Sequence, residues 1–356
     1  MGRFLMIDIG AGTMDVLWYD SDTGRRFKTV LRSPVWRMAE QAAGHGDLVV
    51  VGGEMGGGPV TAALEARAQR HRVSITAEAA HTLNHDPQKV AAMGLEIVDR
   101  QAAGRLIAAG TPSLTLADID ALQVRRILEA LDVPLALDAV AVCAQDHGMP
   151  PQGVSHLDYR HGCHAAALDA DPSPASLLYR ADEVPETFNR LRTIAADAAR
   201  LTAGAVFVMD SGMAAILGAS LDSLASANRD IMVLDIATSH TVAATLRRGE
   251  VAAYLEYHTR DLTAERLDAL LPALAEGRLT HEEILAGGGH GAYTRRRVGF
   301  NRLGVIVATG PRRALARKCT LPIVFGAPFG DNMMTGTTGL LEALRRRLGL
   351  PPIDYI

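Results

Sequence analysis

Asp8, Gly10, Ala11, Gly12, Thr13 and Asp15 fall together between two apolar runs, Phe4–Ile9 and Asp15–Tyr19. Small residues at 10 to 12 let a backbone approach a ligand closely. Successive backbone N–H groups in such a turn form a cradle for an anion. Thr13 adds a hydroxyl donor. Asp8 and Asp15 flank the turn, and carboxylates beside a phosphate suit Mg²⁺, which prefers oxygen ligands and keeps several waters. The same residues also make an ordinary glycine-rich β-turn with an aspartate at the strand end. The spacing is neither GxGxxG nor GxxxxGK[ST], so neither a dinucleotide fold nor a P-loop follows.

Other residues carry chemistry with a bland alternative beside it. Gly52 to Pro59 is a glycine-rich loop opening a helix at Val60–Arg70; such a loop suits an anion or is a flexible connection, and Glu54 within it can face a cleft. Gln145-Asp146-His147-Gly148 follows a strand and reads as an acid/base or substrate-contacting loop, or as a hydrogen-bonded turn. His147, His161, Cys163 and His164 offer soft metal ligands, at a spacing that matches no standard zinc pattern. Arg312 and Arg313 read as an anion clamp or as a solvated basic helix start.

The elements positioning these groups are buried strands at Phe4–Ile9, Asp15–Tyr19, Leu48–Val51, Val73–Thr76 and Ala139–Val142, separated in part by helices at Val60–Arg70 and Ala117–Leu131. Gln145–Asp171, rich in Pro and Gly, reads as a loop and marks a domain boundary. Beyond it come a helix at Phe188–Ala203, a strand at Val206–Met209, a helix start at Met213–Leu217, and strands at Ile231–Asp235, Thr241–Leu246 and Val251–Tyr257. A helix at Asp261–Glu276, a strand at Gly304–Val307 and a helix at Thr338–Leu348 complete the chain. Asp8 and Asp235 each end an apolar strand ahead of a turn of small residues, which predicts two related α/β domains facing one another.

The 356 residues suffice for two domains, and 48% apolar with 21% charged residues is ordinary for a soluble globular protein. A net charge of -4 gives no basic field for nucleic acid. No run reaches the roughly 18 apolar residues of a membrane span. The start shows no signal-peptide layout, and the three widely spaced cysteines suit a reducing, cytoplasmic compartment and offer no cluster motif.

Asp8-Ile9-Gly10-Ala11-Gly12-Thr13-Met14-Asp15 resembles the first phosphate motif of the actin, Hsp70 and sugar-kinase superfamily. In the same order, Val208 to Ala219 resembles its "connect 1" helix, Val233 to Thr241 its second phosphate motif, and Ile284-Leu285-Ala286-Gly287-Gly288-Gly289-His290 its adenosine motif. The resemblance implies two ribonuclease-H-like domains, 1–170 and 171–356, with the C-terminal helix able to pack back on the first and a nucleotide cleft between them. It implies ATP and Mg²⁺, with Asp8 and Asp235 holding the metal. Gly10, Gly12, Thr13, Asp15, Thr238, Ser239 and His240 would line the phosphates, and Gly287, Gly288 and Gly289 the adenosine. Asp210, with Asp8, would be catalytic, since a carboxylate orients the nucleophile in phosphoryl transfer. Ala237, Ser239 and His240 depart from the glycines usual in the second turn.

Over its whole length the chain resembles an uncharacterised prokaryotic family catalogued as pyruvate formate-lyase activating enzymes, through Gly52 to Pro59, Gln145 to Gly148, Thr309 to Arg313 and Gly326 to Gly336. That label implies radical chemistry, for which the three-cysteine cluster is missing. Two functions are expected: a Mg-ATP-dependent phosphotransferase or ATPase acting on an unknown small molecule, or a nucleotide-gated partner of a redox or cofactor enzyme. A filament former or an Hsp70-type chaperone is disfavoured.

Overall fold

The structure is a computed structural model that describes residues 2–151, 153–201 and 203–355; Gln152, in the expected loop, lies outside the described residues. The chain opens with β1 (Arg3–Ile9), β2 (Thr13–Asp20) and β3 (Arg26–Arg32). It continues through β4 (Leu48–Gly52), β5 (Val73–Thr76), β6 (Glu96–Val98) and β7 (Ser113–Leu116). Next are β8 (Leu137–Ala144), β9 (Leu178–Arg180) and β10 (Ala203–Asp210). The last group is β11 (Asp230–Ile236), β12 (His240–Arg247), β13 (Glu250–His258), β14 (Gly289–Thr294), β15 (Val305–Thr309) and β16 (Ile323–Phe325).

Two six-stranded sheets repeat one plan. The first runs β3-β2-β1-β8-β10-β9 and the second β14-β13-β12-β11-β15-β16. In each, three antiparallel strands are followed, beside the first of them, by two parallel ones, with a further antiparallel edge strand, β9 in the first sheet and β14 in the second. This is the ribonuclease-H-like order, present twice, and it defines an actin-like two-domain α/β protein. Central strands such as β1 and β11 are apolar on both faces because helices cover both. β3 is an edge strand whose Arg26, Lys28 and Arg32 keep the free edge charged; that polar pattern hid it from the sequence reading.

Between β3 and β8 the chain builds a third, parallel sheet, β6-β5-β4-β7, with its own core around Val50, Leu64 and Ile75. The strands expected at Leu48–Val51 and Val73–Thr76 belong there. A division at 170/171 would place β9 and β10 in the second domain; β10 is the parallel neighbour of β8, and β9 pairs with β10 at the edge of the same first sheet.

The expected loop Gln145–Asp171 is corrected in its second half, where a helix spans His156–Ala170. Its buried residues are Arg160, His164 and Leu168. The face is set at helical spacing but is mostly polar, so no apolar period announced it.

The helices Ser211–Ser220 and Thr335–Arg347 cross between the sheets. A Cβ at Gly218 would strike the Thr335 carbonyl, and one at Gly339 the Ala214 carbonyl. Glycine at both positions lets the two backbones touch. The helix Thr335–Arg347 also packs on β1 and β8, and Gly336 leaves room for the Asp8 carboxylate.

Candidate functional site

Two hairpin turns of the same geometry face each other at the mouth between the sheets. Gly10 donates its N–H to the Thr13 carbonyl at 2.9 Å, and Ala237 does the same to His240 at 3.1 Å. Asp8 and Asp235 each stand one residue before the end of their strand. A Cβ on Gly12 would lie 2.8 Å from the Thr238 hydroxyl oxygen, so the turns are in close apposition. Ala11, Gly12, Thr238 and Ser239 give their N–H to no other backbone group among the described residues. Free turn amides of this kind make an anion cradle. Both turns line a cavity of about 400 Å³, with Gly56 to Pro59, His147, Gly310, Pro311 and Gly336 among its walls.

The cavity floor is acidic. Burial pushes the Asp8 carboxyl up to about 7, with Asp235 adding repulsion. Asp15 rises to about 8, from burial first and the Asp8 charge second. Burial raises Asp235 to about 6, although the Thr309 hydroxyl donates to its Oδ1 at 2.8 Å. Asp15 Oδ1 is buried without a hydrogen-bond partner. Converging carboxylates that resist ionisation, one with an orphaned oxygen, fit a hard dication such as Mg²⁺.

Behind the second turn runs a buried charge network. Arg160 donates to Glu256 Oε2 at 2.7 Å and to Asp210 Oδ2 at 2.9 Å. Burial works against the Glu256 anion, yet the Arg160 guanidinium holds its carboxyl well below the ordinary range. Gln145 donates to Glu256 Oε1. Arg190 makes a bidentate pair with Asp118, at 2.8 and 2.9 Å, and donates to the Gln145 carbonyl at 2.7 Å. It thereby ties the inserted sheet to the first domain.

The structure brings Asp8, Gly10, Gly12, Thr13, Asp15, Asp235, Thr238, Ser239 and His240 into one cavity. It does not bring in Gly287, Gly288 or Gly289. Gly289 starts β14 opposite Tyr257, and a Cβ there would strike Tyr257 and Ile284. Gly287 lies close to the Arg266 guanidinium and the Tyr257 hydroxyl, and Gly288 supplies a left-handed turn at φ +80°. In strand order the neighbour of β11 is β15, and its end, Gly310-Pro311, is what lines the cavity.

Asp210 is likewise not a free carboxylate. Its Oδ1 caps the helix Ser211–Ser220 at the Met213 amide, 3.0 Å away, and its Oδ2 is held by Arg160. Asp146 accepts from the Gly148 and Leu191 amides, a structural turn. The four soft ligands do not assemble. His147 reaches the cavity, His161 stacks on His281 at 3.8 Å, His164 packs near Asp210, and Cys163 is half-buried elsewhere on the helix. Glu54 pairs with His85 at 3.0 Å and faces a second cavity, of about 1100 Å³, that shares Gly56 to Gly58, His147 and Arg190 with the first. Arg312 and Arg313 lie outside the cavity lining, with Arg313 bonded to the Gly326 carbonyl at 2.6 Å.

Glu256, His258, Arg160 and Arg190 were missed from the sequence. A signal existed for Glu256, a lone carboxylate inside the apolar strand Val251–Tyr257. Arg160 had none, because its partners are distant in sequence.

The duplicated strand order is therefore that of the actin-like fold. Residues 55–315 match the family described as "Putative pyruvate format-lyase activating enzyme (DUF1786)", and the chain belongs to that family. No curated protein matches it. Similar solved structures include an ethanolamine utilization protein EutJ from Carboxydothermus hydrogenoformans, at 10% identity over 96% of this chain and 89% of that one, TM-score 0.38. A ROK hexokinase from Thermus thermophilus is 13% identical over 96% and 98%, TM-score 0.32. The PilM-PilN type IV pilus biogenesis complex gives 12% over 98% and 98%, TM-score 0.41. The three cysteines do not come together as a thiolate set: Cys143 is buried in β8 beside Asp8, Cys163 lies on the helix His156–Ala170, and Cys319 contacts the Ala264 carbonyl. Among the described residues no helix is long and apolar enough to cross a membrane.

Proposed function

We propose that the cleft binds a Mg-nucleoside triphosphate, ATP being the first candidate, with the phosphates between the two turns. The carrying observation is the pair of matched, apposed hairpin turns with a strand-end carboxylate under each. Asp8 and Asp235 would hold Mg²⁺, with Asp15 behind Asp8. The ion would supply charge neutralisation for the phosphate chain, since Arg160 and Arg190 at the cavity wall are already paired with Glu256, Asp210 and Asp118. Amides at Ala11, Gly12, Thr238 and Ser239 and the Thr13 hydroxyl orient the phosphates. Gly310-Pro311 takes the place at the nucleoside end that Gly287 to Gly289 do not occupy. The second cavity, opening past His147 and Gly56 to Gly58, offers room for an acceptor or a partner segment.

One observation favours a nucleotide-gated partner over a fast phosphotransferase. Asp210, the expected base, is consumed by the helix cap and Arg160. Such a site binds and senses nucleotide while turning it over slowly. Calorimetric titration of the folded protein with Mg-ATP and with Mg-ADP tests the reading. Binding of either supports it, and no heat with both overturns it. Steady-state phosphate release then separates the two functions.

A further inference from the structure

His240 begins β12, His258 ends β13 and His290 is the second residue of β14. Three adjacent antiparallel strands thus deliver one imidazole each to the same end of the second sheet. The ladder pairs His240 directly with His258. His290 arrives by an irregularity: Glu256 pairs with Gly291 and Tyr257 with Gly289, leaving His290 as the extra residue of a bulge. A bulge re-aims a side chain, and this one turns His290 toward the other two rings.

The nitrogens are disposed in a specific way. His290 Nε2 lies 3.1 Å from His258 Nε2, while its Nδ1 meets Glu256 Oε1 at 3.2 Å. His240 Nδ1 meets the Ser239 hydroxyl at 2.9 Å, and its Nε2 is buried with no partner. One ligand atom from each ring lies within 4.8 Å of the others. The ring centroids of His240 stand 4.6 Å from His258 and 4.7 Å from His290.

We propose that His240, His258 and His290 bind one divalent transition-metal ion of the zinc type at the inner wall of the cleft. Three imidazole nitrogens suit a borderline ion and not Mg²⁺, which demands oxygen. Two of the rings are held from behind by a side-chain oxygen, Glu256 on His290 and Ser239 on His240, the arrangement that orients metal-bound imidazoles. An ordinary hydrogen-bonded cluster satisfies the His258–His290 pair but strands the buried His240 Nε2; a shared ion occupies all three. Three protein ligands leave a coordination position open. His240 and His258 line the cavity, so that position faces the cleft, where water or an oxygen of a bound ligand completes the shell. His147, which also lines the cavity, stands with its centroid 6.3 Å from His240 and from His290.

The site is independent of the nucleotide reading and is tested without nucleotide. Chelator-stripped protein is titrated with Co²⁺, followed by its visible absorption, and then with Zn²⁺ in competition. The expected result is one equivalent of Co²⁺, displaced by one of Zn²⁺ and untouched by millimolar Mg²⁺. His258→Gln, at a half-buried position, should weaken Co²⁺ binding by about 100-fold or more, and Glu256→Gln by about 10- to 100-fold, the usual range for a supporting carboxylate. His281→Gln, outside the cleft, should leave binding unchanged. Circular dichroism checks that each variant folds. If His258→Gln does not fold, anomalous scattering at the zinc edge from crystals of the loaded wild-type protein decides. A folded wild type that gives no stoichiometric Co²⁺ band overturns the proposal. So does a band that survives His258→Gln, or a zinc peak away from the three rings.

Discussion

Replacing Asp15 with Asn should make the protein more stable at neutral pH in the absence of divalent ions. Burial and the Asp8 charge raise Asp15 from 3.8 to about 8 in the folded state. An acid with a raised folded pKa contributes stability that is intact below its unfolded pKa and is lost as pH climbs toward the folded value. Between those limits the native state keeps a proton that the unfolded chain releases. The loss is about 1.4 kcal/mol per pH unit. From 3.8 to neutrality the cost reaches on the order of 4 kcal/mol for this one residue. Asp8 and Asp235, raised to about 7 and about 6, shift in the same direction. Asn copies the protonated acid and cannot ionise, so Asp15→Asn removes its share of the slope. Urea denaturation in chelator across pH 4.5 to 8 reads the effect. Wild type and variant should nearly coincide at the acid end and diverge by several kcal/mol at pH 7, with wild type the weaker. Parallel pH profiles, or a variant weaker at pH 7, would refute the reasoning. Mg²⁺ should narrow the gap, because it favours the ionised carboxylates of the wild type.

Asp8→Asn should weaken Mg-nucleotide binding at least tenfold by calorimetry without lowering the melting temperature; unchanged affinity removes Asp8 from the site. Arg160→Ala leaves Glu256 and Asp210 buried without a counter-charge, and denaturation should show a loss of about 3–5 kcal/mol. Gly218→Ala drives a methyl into the Thr335 carbonyl at the helix crossing, and chemical denaturation should show destabilisation of about 1–3 kcal/mol.

The parts of this fold legible in the sequence were those whose signal is local. Apolar runs ending in Asp8 and Asp235, each followed by small residues, revealed both turns and the duplicated plan. The helix His156–Ala170 escaped because Arg160 and His164 occupy its buried face, and their burial is made tolerable by Asp210 and Glu256, respectively 50 and 96 residues from Arg160. Gly287 to Gly289 misled for the opposite reason. Three glycines suit a close approach of any kind, and here Gly289 meets the Tyr257 ring, Gly287 the Arg266 guanidinium, and Gly288 only turns the chain. Only strand order distinguishes Gly310, just past the end of the parallel strand, from glycines at the start of the antiparallel strand β14.

The departures in the second turn are best understood with the residues behind them. Glycine in the first turn offers an anion backbone alone. Ser239 and His240 add side chains, and these are not isolated replacements. Ser239 holds His240, His240 stands against His258 and His290, and His290 touches Glu256. From Glu256 the contacts pass through Arg160 to Asp210, which caps the helix Ser211–Ser220. That helix crosses Thr335–Arg347, whose Gly336 abuts Asp8 under the first turn. The contacts therefore form a loop from one turn to the other through both crossing helices. A cleft built only to hydrolyse would need the first turn, the metal carboxylates and a free base. This one commits Asp210 and Glu256 to the path that joins the two turns, the coupling that the proposed nucleotide-gated role would use.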